Sequence, residues 1–241
     1  MIKDHDHTTE AIAQRLNEGP QSFYLKEWVY GGIDGVVTTF AIVAGVFGAN
    51  LSPVIVVILG LANLIADGFS MAAGAYSASK ADHDNYTRLR KREEAHIERY
   101  PEGELEETRQ ILTMKGIEPE DVEKVTQAIS KNKENWIEWM MGEEYGLAKP
   151  SHSPFQSGLH TFIAFIVCGS APVLPFLLNA PHAIELALIL SGITFIIIGS
   201  LKSLWSIKPW WKEGAETFLI GMFAAGMAFA IGYGLKEIGL G

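Results

Sequence analysis

Residues 53–78 read PVIVVILGLANLIADGFSMAAGAYSA, and residues 79–100 continue as SKADHDNYTRLRKREEAHIERY. The first stretch exceeds the roughly 20 mostly apolar residues that a helix needs to cross about 30 Å of hydrocarbon. The second stretch is charged, and Pro101 marks its end because proline cannot extend a helix. Together the two stretches predict a membrane-spanning helix that continues into water.

Four further apolar runs are long enough to cross a membrane. They lie near residues 28–50, 155–180, 182–204 and 214–236. We therefore predict an all-α integral membrane protein with five transmembrane helices, in which the run quoted above is the second. Pro172 and Pro175 remove backbone donors within the third run, so the third span is expected to bend.

Charged residues concentrate between the second and third spans. Residues 79–153 hold 12 of the 19 Lys and Arg residues and 17 of the 28 Asp and Glu residues. Breaks at Pro101 and at Gly116–Pro119 predict three helices in this insert, over 79–100, 102–112 and 119–141. The predicted domains are an N-terminal cytoplasmic segment at 1–27, transmembrane helices 1–2 at 28–78, the insert at 79–153, and transmembrane helices 3–5 at 154–241.

The distribution of charge indicates an orientation and excludes some functions. If the N-terminus is cytoplasmic, 18 of the 19 basic residues lie inside and only Lys236 lies outside, as the positive-inside rule requires. The insert is then cytoplasmic and the C-terminus lies outside. A net charge of −9 argues against a nucleic-acid partner. The single cysteine, Cys168, leaves neither an internal disulfide nor a zinc cluster of several thiolates.

Two Asp residues lie within the predicted spans, where an ionised Asp costs on the order of 3 kcal/mol. Asp34 is in the first span, and Asn63, Asp67 and Met71 follow one stripe of the second at a spacing of four. Oxygen ligands with a softer thioether suit a borderline ion such as Fe²⁺ better than Mg²⁺ or Ca²⁺. These four residues are candidates for an ion path; the alternative is that each Asp links helices structurally while Met71 fills a gap.

The insert carries pairs of candidate ligands three residues apart. Each of the pairs Glu93 and His96, Glu104 and Glu107, and Met141 and Glu144 projects from one helix face. Carboxylates from different helices that meet at one point require a cation or a proton between them. Convergence would therefore imply a metal site, whereas the alternative is a solvated acidic surface. Spacing alone does not decide between the two.

Four motifs give the chain a resemblance to the vacuolar iron transporter family over nearly its whole length. They are GGIDGVVT at 31–38, ADGFSMAAG at 66–74, WMMGEEYGL at 139–147 and GSAPVLPF at 169–176. The resemblance implies a homodimer of five-span subunits, an ion path near the dimer interface, and a cytoplasmic helical domain that binds metal. It also implies that the protein exchanges metal for protons and that it is located in the inner membrane of a bacterium.

Carried over by position, the resemblance assigns roles to individual residues. Asp34 and Met71 resemble path residues. His96 stands where the family pattern expects Glu, and Asn63 and Ala75 stand where some members carry carboxylates. An imidazole still favours Fe²⁺, Mn²⁺ or Zn²⁺ over alkaline-earth ions, so His96 remains a candidate ligand. The implied cytoplasmic ligands are Glu93, Glu104, Glu107, Met140, Met141 and Glu144.

The leading hypothesis is a transporter that exports Fe²⁺ from the cytosol by proton antiport, with metal ions, protons and lipid as partners and no prosthetic group. A similar exporter that prefers Mn²⁺ is the first alternative. A membrane-anchored di-iron ferroxidase is the second, but such sites use Glu-x-x-His from two helices and only Glu93 and His96 fit. A membrane protein that senses metal without transporting it is the third.

Overall fold

A computed structural model describes residues 6–18 and 23–239, and the described residues are helical, without a β-strand. The predicted N-terminal segment 1–27 is thus described only in part, and residues 1–5, 19–22, 240 and 241 lie outside the described residues. The helices are α1 (Thr9–Glu18), α2 (Leu25–Gly48), α3 (Pro53–Arg99), α4 (Pro101–Met114), α5 (Pro119–Ser130), α6 (Lys133–Glu143), α7 (Pro154–Ser170), α8 (Leu174–Leu177), α9 (Ala183–Leu201) and α10 (Trp210–Glu237), with a short 3-10 helix over Lys202–Leu204.

The chain forms two compact units. The apolar unit comprises the described residues up to Ala78 and from His152 onward, and the charged unit is Ser79–Ser151. Helix α3 passes without interruption from one unit into the other, as the quoted sequence predicts. Each unit has its own core, because buried apolar residues form one cluster around Val36, Phe40 and Phe195 and another around Ile137 and Met140.

Within the described residues, four helices are long and apolar enough to cross a membrane. They coincide with predicted spans one, two, four and five, over Leu25–Gly48, Pro53–Arg99, Ala183–Leu204 and Trp210–Glu237. The predicted third span is instead divided between α7, of 17 residues, and the single turn of α8. The break falls at Ala171–Val173, where Pro172 lacks the backbone N–H that would continue the helix.

Glycines allow the helices of the apolar unit to pack closely. The contacts at these glycines also show in which direction neighbouring helices run. A Cβ added at Gly31 would lie 2.5 Å from the Thr161 carbonyl oxygen, and Gly35 meets Phe165 one turn later on both helices, so α2 and α7 run parallel. A Cβ at Gly199 would lie 2.7 Å from the Glu213 carbonyl oxygen. The end of α9 therefore lies beside the start of α10.

The charged unit differs from the prediction in its third helix. A single helix over 119–141 was wrong, because α5 ends at Ser130 and α6 begins at Lys133. Asn132 takes an extended conformation (φ −117°, ψ 114°), and its side chain accepts a hydrogen bond from the Asn135 N–H. This N-cap satisfies a free donor of α6 and stabilises the break. The insert therefore contains the end of α3 and three further helices, rather than three helices in all.

Candidate metal site

Three potential metal ligands converge where α3 ends and α4 begins. Glu93 and His96 lie one turn apart on α3, and Glu104 lies in the first turn of α4, which the turn at Tyr100 brings back against α3. One ligand atom from each residue lies within 4.8 Å of the other two. The His96 Nδ1 atom is 3.3 Å from Glu104 Oε1. Two carboxylates and an imidazole thus surround one point.

Two carboxylate oxygens at this point are buried and receive no hydrogen bond from a donor among the described residues. Glu93 is 0% exposed and Glu104 is 4% exposed. Within the part of the chain that the structure describes, Glu93 Oε1 and Glu104 Oε2 have no hydrogen-bond donor. Burying an ionised carboxylate without compensation is strongly unfavourable, so these oxygens require a cation or a proton. Glu93, His96 and Glu104 converge, whereas metal binding by them stays a prediction.

The pKa values of the acidic groups reflect this environment. Burial raises the pKa of Glu93 to about 7, and repulsion by the nearby Glu104 carboxylate adds to the rise. Burial likewise raises the pKa of Glu104 and of Glu144. Near neutral pH a proton can therefore occupy the site, and a divalent cation would have to displace it.

The other predicted ligands lie around this point without joining the three-residue cluster. Glu107 and Glu144 are exposed, although the charges of both act on the Glu104 carboxylate. Met140 and Met141 are 0% and 1% exposed in the core of the charged unit. The Met140 sulfur accepts a hydrogen bond from the Thr108 hydroxyl at 3.7 Å. Metal binding by these four residues stays a prediction.

Sequence reasoning missed Tyr145 at this site. The Tyr145 hydroxyl donates a hydrogen bond to Glu93 Oε2 at 3.2 Å. The Arg92 guanidinium lies over the Tyr145 ring, 5.6 Å from its centroid. Because Tyr145 follows the end of α6, helical spacing could not relate it to Glu93. Its place directly after Glu144 in the WMMGEEYGL motif was the only available signal.

In the apolar unit, hydrogen bonds connect two of the predicted path helices. Asn63 Nδ2 on α3 donates to Thr38 Oγ1 on α2 at 3.1 Å, and the Thr38 hydroxyl donates to the Asp34 carbonyl oxygen at 2.8 Å. Asn63, Asp67 and Ser70 of α3 line an open groove of about 630 Å³, to which Ile42 of α2 also contributes. Asp34 and Met71 are half-buried and lie outside the groove lining. An ion path through these residues stays a prediction.

Long apolar helices that carry a separate carboxylate-rich unit define an integral membrane protein with a candidate site for a divalent cation. The model of the VIT family matches residues 25–233, and the chain belongs to this family. Family membership confirms the resemblance found in the sequence.

Curated relatives cover most of the chain. Vacuolar iron transporter 1 of Eucalyptus grandis is 35% identical over 210 residues, which are 86% of this chain and 84% of the relative. Vacuolar iron transporter 1 of Arabidopsis thaliana is 35% identical over 211 residues, with coverage of 86% and 84%. The vacuolar iron transporter of Toxoplasma gondii is 34% identical over 225 residues, with coverage of 88% and 74%. These relatives are transporters, which confirms the assignment to a transporter and not to a ferroxidase.

Proposed function

We propose that this protein transports Fe²⁺ from the cytosol across the membrane in exchange for protons. The observation that carries the proposal is the pair of buried oxygens, Glu93 Oε1 and Glu104 Oε2, without a donor among the described residues and beside His96. The choice of iron as the transported metal rests on the relatives, which are named vacuolar iron transporters. The charged unit collects the ion, and the helices of the apolar unit carry it across.

The ligand types favour a borderline divalent cation. Carboxylates and imidazole together suit Fe²⁺, Mn²⁺ and Zn²⁺ better than Mg²⁺ or Ca²⁺, which prefer oxygen ligands alone. A proton competes for the same oxygens, because the pKa of Glu93 lies at about 7. Metal binding therefore releases protons on the cytosolic side. Export of Mn²⁺ by the same route is the alternative that a transport assay must distinguish.

Five crossings agree with the directions of the helices. The parallel directions of α2 and α7, and the end of α9 beside the start of α10, support a third crossing by α7 with α8 in an alternating set. The starts of α2 and α10 also lie together, because a Cβ at Gly32 would lie 3.2 Å from Ile198 Cδ1 near the end of α9. Lys202, Lys208 and Lys212 lie at this end, which is therefore cytoplasmic by the positive-inside rule.

The groove on α3 favours a homodimer. It presents Asn63, Asp67 and Ser70 on the outer surface of a helix that crosses the bilayer. Polar groups facing hydrocarbon are costly, so a second copy that covers the groove stabilises the assembly. The ion then passes between the two subunits, along Asp34, Asn63, Asp67 and Met71.

Transport is tested with the full-length protein in vesicles that carry a pH gradient. We expect Fe²⁺ or Mn²⁺ to move only in the presence of the protein, with proton movement in the opposite direction. Replacing Glu104 and Glu107 together with Gln should weaken metal capture and leave the maximal rate less affected. Metal movement without any proton movement would reject antiport, and the absence of metal movement would reject transport.

A further inference from the structure

Tyr145 contacts the candidate metal site but is not one of its predicted ligands. It lies beyond the C-terminal end of α6, and its hydroxyl donates to Glu93 Oε2 at 3.2 Å. The Glu93 side chain is 0% exposed, so its carboxylate cannot obtain this hydrogen bond from bulk water. Tyr145 is therefore an internal donor to a buried carboxylate.

The two carboxylate oxygens of Glu93 have different environments. Oε2 is held by Tyr145, while Oε1 is buried without a donor in the described part of the chain. Glu104 has the same division, since Oε1 lies 3.3 Å from His96 Nδ1 and Oε2 has no donor among the residues described. Each carboxylate thus keeps one oxygen engaged and one available.

We propose that Tyr145 is a positioning residue of the metal site, which orients Glu93 so that Oε1 binds a divalent cation together with Glu104. This inference rests on the proposed function of the charged unit. A hydrogen bond to the non-coordinating oxygen fixes the carboxylate in place and commonly changes metal affinity by 10- to 100-fold. The Arg92 guanidinium over the ring restrains Tyr145 in turn, 5.6 Å from the ring centroid.

The carboxylate of Glu144 is a second acceptor for the same hydroxyl. Burial raises the pKa of Glu144, and a hydrogen bond from Tyr145 opposes that rise. A phenol has one hydrogen to donate, so it serves one carboxylate at a time. In the structure this hydroxyl lies 3.2 Å from Glu93 Oε2, so Glu93 is the acceptor on which the proposal rests.

The test measures Mn²⁺ affinity of the full-length protein in detergent by competition with a chelator of known affinity. Tyr145→Phe removes only the hydroxyl, and we expect it to weaken Mn²⁺ binding about tenfold. Tyr100→Phe is the matched control, because Tyr100 belongs to the same unit and is 67% exposed. It should leave the affinity within twofold of the wild type.

A double-mutant cycle separates positioning from a general loss of structure. Once Glu93 is replaced by Ala, Tyr145→Phe should weaken binding by no more than twofold further, because the group it orients is absent. A tenfold loss that persists in the Glu93→Ala background would overturn the inference, since Tyr145 would then act by another route. An unchanged affinity in Tyr145→Phe alone would overturn it as well.

Glu104→Gln distinguishes failure of this inference from failure of the proposed function. If Glu104→Gln weakens Mn²⁺ binding while Tyr145→Phe does not, the metal site stands and only the role of Tyr145 is rejected. If the wild type does not bind Mn²⁺, or if Glu104→Gln has no effect, the metal site itself is rejected and the inference falls with it.

Discussion

Glu93 on α3 and Glu104 on α4 lie close enough for the charge of Glu104 to raise the pKa of Glu93, and each keeps one buried oxygen without a donor among the described residues. Two buried carboxylates in this relationship cannot both be ionised at little cost. The protein must therefore bind a proton or a cation here.

The first prediction concerns the stability of the metal-free charged unit. Glu93 titrates at about 7 in the folded chain, against an ordinary value of 4.5. Between these values the folded chain binds more protons than the unfolded chain, so stability falls as pH rises and stays lower above about pH 7. The loss is on the order of a few kcal/mol. Hydrogen exchange of peptides from residues 79–151, with chelator present and corrected for intrinsic rates, measures it.

The matched variants for this pH dependence are Glu93→Gln and Glu102→Gln. The first replaces the buried carboxyl with a neutral amide and should remove most of the loss. The second removes an exposed carboxylate of the same unit, and the loss of stability with rising pH should remain. Stability that rises through this pH window in the wild type would contradict the assignment of Glu93.

The second prediction compares two carboxylates that lie two residues apart on α4. Glu104 is 4% exposed at the site, whereas Glu106 is exposed and paired with Arg109 at 3.4 Å. Glu104→Gln should weaken Mn²⁺ binding at least tenfold, because it removes the charge from a proposed ligand. Glu106→Gln should change it less than twofold. Calorimetric titration of the full-length protein gives both values, and equal losses in the two variants would indicate a diffuse acidic surface instead of a site.

The third prediction separates capture from passage across the membrane. Asp34→Asn should abolish metal transport into vesicles while leaving Mn²⁺ affinity at the charged unit unchanged, since it removes a charge only from the proposed path. Asp84→Asn, which removes an exposed carboxylate paired with Lys80, should retain transport. Transport by Asp34→Asn at the wild-type rate would exclude Asp34 from the path.

The fourth prediction tests the close contact of α2 with α7. A Cβ at Gly31 would meet the Thr161 carbonyl oxygen at 2.5 Å, so Gly31→Ala should destabilise the protein by about 1–3 kcal/mol. At Gly226, a Cβ would meet no described atom within 4 Å, and Gly226→Ala should be neutral or stabilising. Thermal unfolding in detergent compares the two. Equal stabilities of Gly31→Ala and Gly226→Ala would show that α2 and α7 can move apart at Gly31 without loss of stability.

The fifth prediction tests the proposed homodimer through the groove on α3. Cysteine at Ala66, which lines the groove, should form crosslinked dimers with a short thiol reagent. Cysteine at Ile193, 49% exposed on α9, should not. The native Cys168 is buried and interferes little. Crosslinking at position 193 but not at 66 would place the interface elsewhere.

Most of the fold could be predicted because transmembrane helices depend on local properties. Length and apolarity are read directly from consecutive residues, and four predicted spans coincide with single long helices. Pro172 likewise predicted the interruption between α7 and α8, because the missing backbone N–H of proline is a local property of the sequence. The division between α5 and α6 was missed because it depends on the conformation and capping bond of Asn132, for which spacing carries no signal.

The candidate site needed the tertiary structure. Spacing placed Glu93 with His96 on one helix face, but it could not show that Glu104 folds back to within 4.8 Å of them. It also could not relate Tyr145 to Glu93, because their hydrogen bond joins residues 52 positions apart. The local sequence determines which side chains share one face of a helix. The packing of the helices determines where side chains from different helices meet.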